Sequence, residues 1–259
     1  MDNRYYTQIY RRRSFHSFRD CGNASLTGRE LEEIEAAWLS FEPLYPDIRT
    51  RIVIVPESET TSKRGGEYCI LIYSENRDGY LQNVGYLGEQ LDLYLVSRNI
   101  GTLWLGMGKT REKQLDGMDF IIMFEIRKIE DPDLFKRDIR SVKRKPVDRI
   151  WEGDRLGEVA QTARLAPSAM NSQPWYVKCD GKTLTVYRHK EGLLSMLPSN
   201  LVPFHNRIDI GIFLLILELC LYENGAVFER ELFSDSGSRA EFTKVAEYKL
   251  TRAFNLKVR

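Results

Sequence analysis

The sequence predicts an α+β fold, an internally duplicated body in which central sheets are flanked by helices. Three observations carry that reading. Stretches with helical apolar spacing are interspersed with β-branched runs. Two long apolar stretches each end near a glycine. Most informative, the chain resembles itself at a displacement of 123 to 125 residues. Leu31, Ile34 and Ile52 fall opposite Leu156, Val159 and Val177, Asn83 and Gly88 opposite Asn206 and Gly211, and Gly101 opposite Gly225. A solenoid unit runs about 20–50 residues, well below this period. The 259 residues are therefore read as one compact body of two repeats, approximately 1–130 and 131–259.

In the first repeat, Leu31 to Leu39 follows helical spacing, with Thr27 as N-cap and Glu30 completing a capping box. Arg51 to Val55 is β-branched and stops at Pro56, the pattern of a strand. Leu81 to Arg98 is an apolar helix that Asn99-Ile100-Gly101 ends. Phe120 to Ile126 is a short apolar run, read as another strand. The second repeat keeps this order, with helix Arg155 to Arg164, strands Trp175 to Cys179 and Thr183 to Tyr187, and helix Ile208 to Glu223. Each repeat is expected to hold a helix, a strand, a long buried helix and a final strand.

Thirty-eight Lys and Arg against 37 Asp and Glu leave a formal charge of +1, which gives no support to a general polyanion binder. At 42% hydrophobic and 29% charged, the chain can bury a large core. The most apolar stretch, Ile208 to Leu221, contains Asp209 and Glu218 and is shorter than the roughly 20 residues of a membrane span, so a buried helix is expected. Met1 to Tyr10 is polar, without the apolar centre of an export signal. Cys21, Cys69, Cys179 and Cys220 are scattered and the histidines few, so reduced thiols, no zinc site and a cytoplasmic location are expected.

Four segments could carry chemistry. Arg11 to His16 groups three guanidiniums with Ser14, a set suited to a phosphate monoester; the plainer alternative is a solvated basic helix. Ala166 to Trp175 mixes turn-formers with small and amide residues, which lets backbone approach a flat ligand. Gly101 to Gly106 carries two glycines that could expose N–H groups to a ligand. Its neighbour Gly108-Lys109-Thr110 is not a P-loop, because position 103 is Leu where that loop needs Gly. Lys136 to Lys145 is strongly basic; without interleaved aromatics it reads as an inter-repeat linker, not a nucleic-acid surface.

Together these segments resemble the FMN-dependent nitroreductase family. Arg12-Arg13-Ser14 matches its R-R-S signature, and Pro167, Ser168, Asn171, Gln173, Pro174 and Trp175 match P-S-x-x-N-x-Q-P-W. Gly101 to Gly106 matches G-T-x-W-L/I-G, and Arg144-Lys145-Pro146 matches R-K-P. The resemblance implies a nitroreductase-like fold, specifically the subfamily in which two fused repeats form a dimer-like monomer with one intact site. It implies that Arg12, Arg13 and Ser14 contact the FMN phosphate and ribityl chain, with Arg144 closing on the phosphate. Pro167, Ser168, Ala169 and Asn171 would line the isoalloxazine, and Leu105 and Gly106 would bring N–H groups towards its N5 edge. His16 stands where many relatives carry Lys or Arg against the pyrimidine edge. The implied activity is hydride transfer from NAD(P)H through the flavin to a small electron-poor acceptor such as a nitroaromatic or quinone. No protein catalytic residue, nucleic acid or membrane is involved. The alternative, motivated by His16 and by crowding from Met170, is a flavin-binding or flavin-sensing protein with little turnover.

Overall fold

In a computed structural model, which describes residues 3–136, 138–153, 156–189, 201–236, 238 and 240–251, the capping box at Thr27 forms as the sequence requires. Thr27 Oγ1 accepts from Glu30 N at 3.2 Å, and the Glu30 carboxylate accepts from Thr27 N at 2.9 Å. This opens α2 (Gly28–Ser40), preceded by the single-turn α1 (Gln8–Arg11). The first sheet contains β1 (Thr50–Pro56), β2 (Tyr68–Ser74), β3 (Ile100–Leu105), the two-residue β4 (Gln114–Leu115) and β5 (Met118–Lys128). Between β2 and β3 runs α3 (Tyr80–Ser97), ended by Asn99 at φ 56°, a left-handed conformation that asparagine tolerates.

The second sheet contains β6 (Trp151–Glu152), β7 (Trp175–Cys179), β8 (Thr183–His189), β9 (Phe228–Leu232) and β10 (Phe242–Leu250). Helix α4 (Gly157–Ala163) precedes β7, and α5 (Leu201–Glu223) lies between β8 and β9 in the chain. The expected helix began at Arg155, which lies outside the described residues. The sheet orders are β1-β2-β5-β3 and β6-β7-β8-β10-β9. The antiparallel path β7-β8-β10-β9 follows β1-β2-β5-β3 strand for strand, and each path has its long helix at the same point in the chain.

In the four-strand path of each half, two strands precede the long helix and two follow, not the single final strand expected. The reasons are physical. Strand β3 starts three residues after α3 ends, so its glycine looked like a helix stop. Gly101 is buried in β3, opposite Arg127 of β5, and presents no N–H to a ligand. Strands β9 and β10 are rich in charge and half exposed, which hides their period from an apolar reading.

The two halves meet where α3 crosses α5 with backbone against backbone. A Cβ on Gly85 would lie 2.0 Å from the Ile208 carbonyl oxygen, and one on Gly211 would lie 1.9 Å from that of Gln82. The contact is reciprocal, each glycine meeting the residue three before the other. Gly88, which the sequence alignment sets opposite Gly211, lies under the Trp104 ring instead of at this crossing. Around the crossing, one continuous core takes apolar residues from both sheets and both long helices, including Phe124, Trp175, Leu91, Phe213 and Leu217. All four cysteines are buried and free. Among the described residues no helix is long and apolar enough to cross a membrane.

Because the obstructing atoms at the crossing are backbone, the helices must separate to admit even a methyl group. Gly211→Ala is expected to lower unfolding free energy by about 3 kcal/mol, the upper range for overpacking. Gly157→Ala, where a Cβ meets nothing within 4 Å, should change it by less than about 0.5 kcal/mol. Urea denaturation followed by circular dichroism checks both; equal stabilities would show that the helices do not depend on the close approach.

Candidate functional site

A buried carboxylate organises one wall of the site. Asp92 on α3 accepts from Arg12 Nε at 2.8 Å, Thr102 Oγ1 at 2.5 Å and Trp104 Nε1 at 2.9 Å. Glu89, one turn earlier, lies 3.8 Å from Arg12 Nε. Burial works against the Arg12 charge, but Asp92 and Glu89 outweigh it and raise its pKa. The segment after α1 leaves the helix at Arg12 and runs beside β3, with Ser14 bridging Thr102 and Phe15 N donating to Thr102 O at 3.0 Å.

The basic triplet is therefore split, neither a solvated helix nor a joint clamp. Only Arg12 turns inward. Arg11 donates to Asn99 Oδ1 at 2.8 Å. Arg13 is exposed, donates to Leu134 O at 2.8 Å and stacks over Phe15 at 5.2 Å.

The second wall is the loop before β7, tied to α5 by another buried carboxylate. Asp209 Oδ1 accepts from Ala169 N at 3.0 Å, and Oδ2 from Ser172 Oγ at 3.4 Å. Burial pushes the Asp209 carboxyl up to about 7, with both hydrogen bonds opposing the rise. Met170, Asn171 and Gln173 all take left-handed backbone, at φ 51°, 57° and 50°. Side-chain bonds hold that shape: Gln173 N donates to Ser168 Oγ at 2.9 Å, and Lys145 N donates to Gln173 Oε1 at 2.8 Å.

Between the walls lies a cleft of about 150 Å³, partly open to solvent. Arg12, Ser14 and His16 reach it from the N-terminal segment, and Trp104 and Gly106 from β3 and the turn beyond. Pro167, Ser168, Ala169 and Met170 come from the loop, and His205 and Asp209 from α5. A Cβ on Gly106 would lie 2.6 Å from His205 Cε1, so glycine lets the turn close against α5. Burial lowers the His205 pKa.

Four predicted residues do not line this cleft. Arg13 is turned away, and Leu105 packs its side chain with the core clusters behind β3. Asn171 is exposed; its side chain accepts from Arg144 Nη1 at 2.9 Å and donates to Lys143 O at 3.1 Å. Arg144 also donates to Leu165 O at 3.1 Å. Its pKa is lowered to about 10, first by burial and then by the nearby charges of Arg12 and Arg164. The Nε atoms of Arg144 and Arg164 are buried with no hydrogen-bond partner. Arg12, Arg144 and Arg164 thus act on one another's charge, with the Glu89 carboxylate also acting on Arg144.

Asp92, Arg164, His205 and Asp209 were missed in the sequence. A signal existed for two of them, since Asp92 and Asp209 are acids inside otherwise apolar helices. The corresponding helix positions of the other half carry a different set of hydrogen bonds. Glu218, displaced from Asp92 as Gly211 is from Gly85, accepts from Tyr86 Oη at 2.7 Å, Tyr248 Oη at 2.8 Å and Arg230 Nη1 at 2.8 Å. Asn83, at the same displacement from Asp209, accepts from Tyr45 N at 2.9 Å, and the Tyr45 ring lies against Gly79. Buried tyrosines thus surround Glu218.

This fold is that of a nitroreductase-type α+β protein. The family described as "Putative TM nitroreductase" matches residues 5–220, and the chain belongs to it. A solved structure described as a "putative nitroreductase" from Thermotoga maritima is 20% identical, covers 95% of this chain and 92% of its own, and superposes with a TM-score of 0.62. A "putative nitroreductase in complex with FMN" from Desulfovibrio desulfuricans is 15% identical, covers 57% of this chain and 95% of its own, with a TM-score of 0.41. A "Putative NADH Oxidase" from Clostridium acetobutylicum is 13% identical over 55% of this chain and 96% of its own, with a TM-score of 0.39. No curated protein matches the chain.

Asp209 makes stability depend on pH in an unusual direction. Its folded pKa of about 7 exceeds the ordinary 3.8, so between those values the native state holds a proton that the unfolded chain has released. Stability therefore falls as pH rises through that window, and the loss is complete above it. Asp209→Asn keeps an acceptor for Ala169 N and removes the charge. Relative to the native protein, the variant should gain on the order of 2–3 kcal/mol between pH 5 and pH 8 in urea unfolding. Parallel pH curves for the two proteins would contradict this.

Proposed function

We propose that the protein is an FMN-dependent oxidoreductase of nitroreductase type, with its flavin in the cleft between the N-terminal segment and α5. The observation that supports it most is the grouping of the Arg12, Arg144 and Arg164 charges, a set that would suit a phosphate monoester. Ser14, 3.4 Å from Arg12 Nη2, would add its hydroxyl there or to the ribityl chain. Arg13 drops out of the set implied by the signature. Pro167, Ser168 and Ala169 would flank the ring system, with His16 at its pyrimidine edge and the Gly106 backbone at its N5 edge.

When bound, FMN supplies the electron chemistry, accepting hydride from NAD(P)H and passing it to a nitroaromatic or quinone. The chain's part is position and field. Asp92 fixes Arg12 and Trp104 before any ligand arrives, and Asp209 fixes the loop from the other side. Such preorganisation spares the ligand the cost of ordering these side chains. The same reading treats the two halves as copies of one unit with one working site. Because α3 and α5 are spent on each other within the chain, it also treats the protein as a monomer.

Arg12→Ala is a poor test, because it would strand Asp92 as a buried unpaired charge and unfold much of the protein. Arg144→Ala is preferable. It should weaken FMN binding by about 1.5–3 kcal/mol, the worth of hydrogen bonds to a charged group, in a fluorescence titration. Unchanged affinity would remove the phosphate from this place. The purified protein is expected to be yellow, or to become so with FMN, and to bleach anaerobically on addition of NADH or NADPH. A protein that takes up no FMN contradicts the proposal, whereas one that binds FMN but never bleaches is a flavin binder with little turnover.

A further inference from the structure

Met170 occupies a position where its residue type is a poor fit to the backbone. At φ 51° and ψ 23° it is left-handed, a conformation that glycine adopts freely and asparagine tolerates. Its side chain gains no compensating burial: it is 57% exposed, among the most exposed of the large hydrophobics. The strain is imposed by neighbours. Asp209 holds Ala169 N, Arg144 holds the Asn171 side chain, and Ser168 Oγ holds Gln173 N. Strain kept in place by surrounding bonds and placed at a cleft points to a use for the side chain.

The cleft says what that use is. Met170 is part of its lining, which also includes the apolar side chains of Trp104, Ile122, Ile208 and Ile212. A flexible, polarisable thioether at the mouth of an apolar cleft is suited to the edge of an aromatic ring. We infer that Met170 is a specificity-determining contact for the second substrate, gripping a flat, apolar, electron-poor ring of the quinone or nitroaromatic class as it enters the cleft. This rests on the flavin reading for what lies beneath the ring. Met170 takes no part in holding the flavin phosphate and none in moving protons.

The test separates grip from folding, because the two variants that remove the thioether also relieve the backbone. Met170→Gly and Met170→Asn should unfold at the same temperature as the native protein or higher, and should retain FMN equally. Their affinity for 2-methyl-1,4-naphthoquinone, measured by calorimetry on oxidised protein without nicotinamide nucleotide, should fall by about 5–10-fold. The titration is run on the protein as isolated and again after FMN saturation. Quinone affinity equal in all three proteins, or no quinone binding by the native one, overturns the inference. Failure to take up FMN refutes the flavin reading alone, since a quinone affinity that still depends on Met170 upholds the contact.

Discussion

Everything at the site depends on how closely α3 and α5 approach. Gly85 and Gly211 let the two backbones touch, and each helix carries a buried acid that builds one wall. Asp92 on α3 gathers Arg12, Thr102 and Trp104 from the first half. Asp209 on α5 fixes the loop of the second half. If the helices stood further apart, His205 would leave Gly106 and the walls would no longer face a shared space. The cleft is a consequence of a packing distance.

The same scaffold carries a different set of partners around the buried acid of each long helix. Both halves place an acid on the long helix and a backbone N–H on a residue of that helix, but the partners differ. Around Asp92 the partners are Arg12, a threonine and an indole at a cleft edge. Around Glu218 they are two buried tyrosines and Arg230, which satisfy the carboxylate. Burial and the neighbouring carboxylate hold both tyrosines far above their ordinary pKa, so they remain neutral donors.

Much of this was legible in the sequence, for identifiable reasons. The α2 capping box, the β1 run and the bounds of β7 follow from local rules that tertiary structure did not override. The two loops carrying Ser14 and Ser168 were recognisable as motifs, and the fold brings both to the cleft. What was not legible depended on pairing at a distance. Nothing local says that Arg12, and not Arg13, meets Asp92, because the choice is made by the extended backbone beside β3. Arg164 reads as an ordinary helix end until Arg144 is placed beside it. Nor does anything local say that Gly85 meets α5 across the crossing, whereas Gly88 lies under the Trp104 ring.

The central claim is that one cleft per chain recognises a flavin through its phosphate. The most direct measurement is a titration of flavin-free protein with FMN and, separately, with riboflavin, which has the same ring system and no phosphate. The account predicts one equivalent of FMN per chain and an affinity for riboflavin lower by at least about tenfold, the loss of charge-assisted bonds to the arginines. Equal affinity for the two, or two equivalents of FMN per chain, would contradict it.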